Sequence, residues 1–256
     1  ILMITFGTGG WRAIIGDEFT RENVQRLAFA LAQRMEAEDV AARGICIGFD
    51  RRFLSRQAAQ WAAEVMAARR IHTYFINREA PTPLIMYTVQ QYGLYYGMAV
   101  TASHNPALYN GIKLFPKGGR DAKQEVTGGL AAACAQIQKD DIPALDYEKA
   151  LAAGYVEIIS PYNSYIDTII RAVNMDAIRP RGLKLVLDPM YGLRRPALTP
   201  ILLTARCEVA AIHEPHDPPF GRRPPPPSDR SLLPPPRLPP AHLAAPVLPT
   251  TRNAAR

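Results

Sequence analysis

The sequence predicts an α/β layered fold built on a largely parallel sheet. Three observations predict it. Apolar runs of strand length recur through the first two thirds of the chain. Helical periodicity fills the gaps between them. A fresh apolar run at Leu183–Asp188 opens the same pattern a second time.

The elements follow in order. Thr20 is placed to cap a helix whose Val24, Leu27, Ala28, Leu31 and Met35 repeat at helical spacing. Gly44 to Phe49 is a short apolar run that ends at Asp50. Ser55 stands as the cap of a second helix carrying Trp61, Val65 and Met66. Ile71 to Ile76 reads as the next strand. Pro81 and Pro83 break the chain before a short helix around Leu84 to Gln91. Tyr95 to Val100 is a strand followed directly by a loop, and Ile112 to Phe115 is a short strand beyond it. From Ser160 a helix carries Tyr165, Ile166, Ile169, Ile170 and Val173. The run from Ile178 to Gly182 breaks it, and residues 140–182 form the expected junction.

The domains expected are residues 1–140 as a first α/β layer structure, 141–182 as connecting helix and linker, 183–214 as the incomplete start of a second α/β domain, and 215–256 as a tail. In that last stretch 14 of the 42 residues are proline. Proline lacks a backbone donor and blocks helix interiors and central strands. The tail is expected to be irregular or partly polyproline II, native or the product of a frameshift or truncation. Pro235-Pro236-Arg237-Leu238-Pro239 has the chemistry of an SH3-type ligand.

Composition excludes several classes. The chain is 48% hydrophobic and 21% charged, which excludes wholesale disorder. No window approaches 18 consecutive apolar residues, and the first residues lack the basic and apolar regions of a signal peptide. No membrane partner is expected. Cys46, Cys134 and Cys207 are widely separated, so they suggest neither a disulfide framework nor a zinc site, and they read as small buried hydrophobes in a reducing cytoplasm. The net charge is +7, but six Arg and two Asp from position 215 onward supply +4 of it. The remaining bases are interleaved with acids, so no nucleic-acid partner is expected.

The string Thr101-Ala102-Ser103-His104-Asn105-Pro106-Ala107-Leu108-Tyr109-Asn110-Gly111-Ile112-Lys113 carries the chemistry. It follows an apolar strand, so Ser103 is expected at a strand's C-terminal end, where α/β proteins place ligand sites. Asn105-Pro106 and Asn110-Gly111 are turn signals. A serine held at such a tip can act as a nucleophile or phosphate carrier when a proton acceptor and cations lie near it. His104 and Lys113 are the candidates for both. His72 and His213 have no partners at useful spacing. The glycines at 7, 9 and 10 lack the preceding strand and the spacing of a dinucleotide fingerprint, and Gly118-Gly119 lacks the ending of a P-loop.

The string resembles the phosphoserine loop of the α-D-phosphohexomutase superfamily, which holds the phosphoglucomutases and phosphomannomutases. Phe6-Gly7-Thr8-Gly9-Gly10-Trp11-Arg12 resembles that family's N-terminal signature, and Gly48-Phe49-Asp50-Arg51-Arg52 resembles its Gly-x-Asp-x-Arg strand end. Leu187-Asp188-Pro189-Met190-Tyr191-Gly192 resembles the start of its second domain. The resemblance runs from about Ile4 to His216 and weakens after Arg194. It implies an α/β/α first domain with a mostly parallel mixed sheet.

It also implies an intramolecular phosphotransferase that interconverts hexose 1-phosphate and hexose 6-phosphate, with glucose phosphates as the leading substrate and mannose and glucosamine phosphates as rivals. Ser103 would pass its phosphoryl group to the sugar and recover the other phosphate from the bisphosphorylated intermediate. Lys113 would handle the sugar hydroxyl proton, His104 would assist, and Arg12 would neutralise charge near the phosphoserine. Asp50 and Arg52 could either pair structurally or approach the site. The catalytic hexose bisphosphate and Mg²⁺ are the implied cofactors. The family holds Mg²⁺ with the phosphoserine and an Asp-Gly-Asp-x-Asp-Arg loop, yet no Asp-x-Asp spacing occurs in these 256 residues. Only Ser103, through its phosphate, remains as a metal ligand. The family's third and fourth domains are also missing, so a truncated chain with little or no turnover is expected. The first strand of the incomplete second domain is expected to have an exposed edge that invites self-association. The alternative is a non-catalytic module that binds a partner through its folded domain or its proline-rich tail.

Overall fold

The computed structural model describes residues 4–7, 10–189, 195–212 and 247–249. In chain order the elements are β1 (Phe6–Gly7), β2 (Gly10–Ile14), α1 (Arg21–Ala37), β3 (Ile45–Phe49), α2 (Ser55–Ala68), β4 (Thr73–Ile76), α3 (Thr82–Gln91), β5 (Tyr96–Val100), β6 (Tyr109–Pro116), α4 (Gln124–Gln136), α5 (Tyr147–Ala152), β7 (Val156–Ile159), α6 (Tyr162–Ala172), α7 (Met175–Ile178), β8 (Lys184–Asp188), α8 (Arg195–Thr204), β9 (Glu208–Ala211) and β10 (Val247–Pro249). They divide into two compact units. The first takes in residues 1–103 and 108–161, and the second takes in 104–107 and 162–256.

The sheet of the first unit has the order β1-β2-β6-β5-β3-β4-β7. β5, β3, β4 and β7 run parallel, while β6 is antiparallel to both β5 and β2. The fold is therefore α/β with a mostly parallel mixed sheet, as the alternation of strands and helices predicts. The chain leaves β3 for β4 on one side and then returns to place β5 on the other side of β3. The gap beyond the C-terminal ends of β3 and β5 is thus the topological switch point, where open α/β sheets bind ligands.

Side chains alternate across the strands, so each face builds its own layer. Ile45, Ile47 and Phe49 of β3 join Met98 and Val100 of β5 in a core with Leu27, Leu31 and Met35 of α1 and Met66 of α2. α3 lies against the same strands at Gly48 and Gly97. A Cβ on Gly97 would stand 2.5 Å from Val89 Cγ2, and one on Gly48 2.7 Å from Ile85 Cδ1. The missing side chains are what let this helix approach the sheet.

Thr20 caps α1 as predicted, its hydroxyl accepting from the Asn23 amide at 3.3 Å. Thr20→Ala is expected to lower stability by about 1 kcal/mol, measured by urea unfolding. Ser55 is not the cap of α2. Leu54 occupies that position in a left-handed conformation, φ 63°, and the Ser55 hydroxyl donates instead to Asp50. The glycines near the N-terminus lie within a strand pair that the sequence reading does not include: β1 and β2 run antiparallel, Phe6 with Trp11 and Gly7 with Gly10; residues 8 and 9 lie outside the described residues. His72, read as having no partner, meets Glu157 at 3.2 Å from the neighbouring strand β7. That contact spans 85 positions, so no local pattern could show it. His213 lies outside the described residues.

Residues 141–161 contribute α5 and β7 to the first unit, and α6 and α7 belong to the second. In the second unit β8 is the centre of a parallel sheet, β10-β8-β9. Met175, Leu185, Ile201, Ala205 and Cys207 are buried together in its core. This sheet corrects two expectations. β8 has no open edge, because β9 pairs on one side and β10 on the other. The tail also supplies one strand: Val247 and Leu248 keep their backbone donors, and Pro249, which has none, closes the strand. The rest of the tail, including the Pro235–Pro239 motif, lies outside the described residues.

All three cysteines are free and buried. Burial pushes the Cys134 thiol up to about 12 and raises Cys46 further. Ellman's reagent is expected to react with none of the three within minutes in the native protein and with all three in guanidinium.

Candidate active site around Ser103

Four polar side chains meet beyond the C-terminal ends of β3 and β5. Asp50 is the residue after β3, and its amide donates to the Val100 carbonyl at 3.0 Å, tying the two strand ends together. Asp50 Oδ1 accepts from the Arg52 amide at 2.9 Å and from Ser55 Oγ at 2.7 Å. Asp50 Oδ2 accepts from Thr101 Oγ1 at 2.6 Å and lies 3.3 Å from Arg52 Nε. Thr101 Oγ1 in turn accepts from the Ser103 amide at 3.0 Å. A single carboxylate therefore fastens the start of α2, the Arg52 side chain and the first residue of the serine loop.

Arg52 is only 4% exposed. Burial lowers the pKa of its guanidinium from the usual value, Asp50 works against that loss, and the nearby charge of Arg12 adds to it. Its two terminal nitrogens donate to the carbonyls of Ser103 at 2.9 Å and Tyr109 at 3.0 Å. Ser103 itself has φ 56°, the left-handed region that side chains other than glycine rarely adopt. Such a conformation costs about 1–2 kcal/mol and persists only when its surroundings impose it.

Arg12 comes to this end of the sheet on β2, where it pairs with Gly111 of β6. The Gly111 carbonyl accepts from the Thr101 amide at 2.9 Å. Arg12 Nε is buried and has no hydrogen-bond partner, and the same holds for Nε of Arg51, a cation that no sequence motif singled out. A buried guanidinium nitrogen without an acceptor is a site that an anion can complete.

Lys113 lies on β6 opposite Ala99, 9% exposed, with its Nζ 3.0 Å from Asp121. Asn110 and Gly111 do not form the turn expected between Ser103 and Lys113. Both lie within β6, paired with Ala13 and Arg12. The Asn110 amide group donates to Phe53 O and Ser55 Oγ, and its oxygen accepts from the Gly111 amide. These long-range contacts override the turn preference of the dipeptide. His104 follows Ser103 and is exposed.

Among the described residues no three His, Cys, Asp or Glu side chains group closely enough to hold an ion. Residues 190–194 fall outside the described residues. No described helix is long and apolar enough to cross a membrane.

Comparisons with known proteins agree with this geometry. Residues 3–141 match phosphoglucomutase/phosphomannomutase, alpha/beta/alpha domain I, and residues 163–241 match domain II of the same family. The "Probable phosphoribomutase" of Schizosaccharomyces pombe is 31% identical over 212 residues, covering 78% of this chain and 35% of the relative. A phosphoglucomutase of Staphylococcus saprophyticus is 26% identical over 231 residues, covering 87% of this chain and 41% of the relative. A crystal structure of a Thermus thermophilus protein assigned as a phosphomannomutase superposes with a TM-score of 0.79 at 26% identity, covering 90% of this chain and 50% of that one. The chain thus spans well under half the length of the curated relatives it matches. With two successive domain matches and a serine loop held at the switch point of a mostly parallel sheet, the chain belongs to the phosphoglucomutase/phosphomannomutase family.

Proposed function

We propose that this chain carries the phosphoserine part of a phosphohexomutase acting on hexose phosphates, glucose phosphates first among them. The observation that carries the reading is the left-handed Ser103 at the switch point of the sheet, with Arg12, whose buried Nε lacks an acceptor, on the strand paired to Gly111, whose carbonyl holds the Thr101 amide. A phosphoryl group on Ser103 would supply one.

In the proposed reaction a sugar hydroxyl attacks the phosphorus on Ser103, forming a sugar O–P bond as the Oγ–P bond breaks. Lys113 takes the sugar hydroxyl proton, and Ser103 Oγ takes up a proton for which His104, next in the chain, is the assisting group. The bisphosphorylated sugar turns over, and its other phosphate returns to Ser103 by the same steps reversed. Phosphoryl transfer is mostly positioning and charge stabilisation, which suits a site rich in fixed guanidinium groups. Magnesium is expected for the family. The described residues do not make its site, so no step is assigned to it. A cytoplasmic place in carbohydrate metabolism fits such a substrate.

The resemblance to a phosphoribomutase favours a second substrate, a pentose phosphate. The test is a single-turnover labelling experiment. The chain is incubated with glucose 1,6-bisphosphate or ribose 1,5-bisphosphate, and its tryptic peptides are weighed. A gain of one phosphoryl group at Ser103 is expected, faster with the hexose. Faster labelling by the pentose would reassign the substrate. No label from either would leave the non-catalytic, partner-binding alternative. Steady conversion of glucose 1-phosphate to glucose 6-phosphate is expected to be slight or undetectable with these 256 residues alone, since they contain no Asp-x-Asp carboxylate set.

A further inference from the structure

We propose that Arg52 is the positioning residue of the serine loop, acting through the backbone rather than on the substrate. This rests on the phosphoserine reading. The guanidinium of Arg52 donates to the carbonyls of Ser103 and Tyr109, the two residues that bound the five-residue excursion 104–108. One planar, buried group therefore closes the base of the loop.

The clamp is itself held. Asp50 accepts from the Arg52 amide and lies 3.3 Å from its Nε, and the same carboxylate accepts from Thr101 Oγ1. Thr101 Oγ1 accepts from the Ser103 amide. The peptide units on both sides of the Ser103 α-carbon are thereby fixed, the amide by Thr101 and the carbonyl by Arg52. With both held, φ at Ser103 stays at 56° and its hydroxyl has a defined direction. Lysine keeps the charge but offers one nitrogen in place of a rigid fork, so it cannot span both carbonyls in this geometry.

The experiment is single-turnover labelling of Ser103 by glucose 1,6-bisphosphate in the full chain, over a range of donor concentrations, for wild type, Arg52→Lys and Thr101→Val. Melting temperature and circular dichroism are measured alongside. Arg52→Lys is expected to lower the limiting labelling rate at least about tenfold, because a small misplacement of a reacting atom has effects of this order. Its half-saturating donor concentration is expected to stay within about twofold of wild type, since a positioning group that does not touch the substrate leaves binding alone. Thr101→Val, which frees the Ser103 amide and removes one donor to Asp50 but leaves both Arg52 bonds to the carbonyls in place, is expected to lower the limiting rate by about threefold with the same split.

Wild-type limiting rates in both folded variants would overturn the inference, as would a loss confined to the half-saturating concentration. If Arg52→Lys melts below the assay temperature, the split in Thr101→Val decides the matter alone. A wild-type chain that takes no label would retire the phosphoserine reading and this inference with it. Labelled wild type with variants that match it would retire the inference only.

Discussion

Ser103→Ala is expected to fold with an essentially unchanged melting temperature and to take up no phosphoryl group from a sugar bisphosphate. Alanine keeps the Cβ, so the left-handed backbone at this position stays as unfavourable as it is with serine. Only the hydroxyl is lost, and the loop's fastening uses the Ser103 amide and carbonyl, which the substitution leaves in place. Ser103→Gly separates strain from chemistry. Glycine relieves about 1–2 kcal/mol of left-handed strain and adds about 0.5–1 kcal/mol of unfolded-state entropy. The net is an expected gain of about 0.5–1 kcal/mol in urea unfolding, again with no label. A glycine variant less stable than the alanine variant would mean that Ser103 is not held under strain. Label on any other residue in Ser103→Ala would remove Ser103 from its role.

Gly111→Ala is expected to be the most damaging single methyl addition near the site. A Cβ there would lie 2.1 Å from the Trp11 carbonyl oxygen and 3.0 Å from that of Thr101. Both are backbone atoms, one within β2 and the other just beyond the end of β5, so neither can swing aside as a side-chain tip would. β2 would have to separate from β6, and Arg12, Trp11 and the Thr101 end of β5 would move with it. A loss of at least about 3 kcal/mol is expected in urea or thermal unfolding, at or beyond the upper end for overpacked cores. A variant within about 1 kcal/mol of wild type would show that the β2–β6 pairing is looser than described. For contrast, Gly128→Ala on α4 meets nothing within 4 Å and is expected to be neutral or slightly stabilising.

The clamp on the serine loop explains why part of this site escapes a reading by motif. Asp50 and Arg52 stand two positions apart in a short string, which leaves a structural ion pair and an approach to the site equally open. They do pair, yet the guanidinium's reach to Ser103 and Tyr109 depends on β5 and β6 standing where the sheet order puts them. Lys113 shows the converse. Its distance along the chain from Ser103 suggests a return across a turn, but Asn110 and Gly111 are strand residues, and Lys113 Nζ lies 3.0 Å from Asp121.

The sequence by itself determined the layered α/β class, the mostly parallel sheet, the helix that starts after Thr20 and the loop that bears Ser103. Each of these is written in local periodicity or in a contiguous run of residues, because side-chain alternation and end-capping act over a few positions. The tertiary structure decided the rest: the hairpin at the N-terminus, the closed edges of β8, the extent of β6, the partner of His72 and the fastening of the serine loop. Apart from the hairpin, whose paired residues stand only three and five positions apart, the decisive contacts join residues tens of positions apart, and a hydrogen bond a few ångströms long exists only once packing has brought its two ends together.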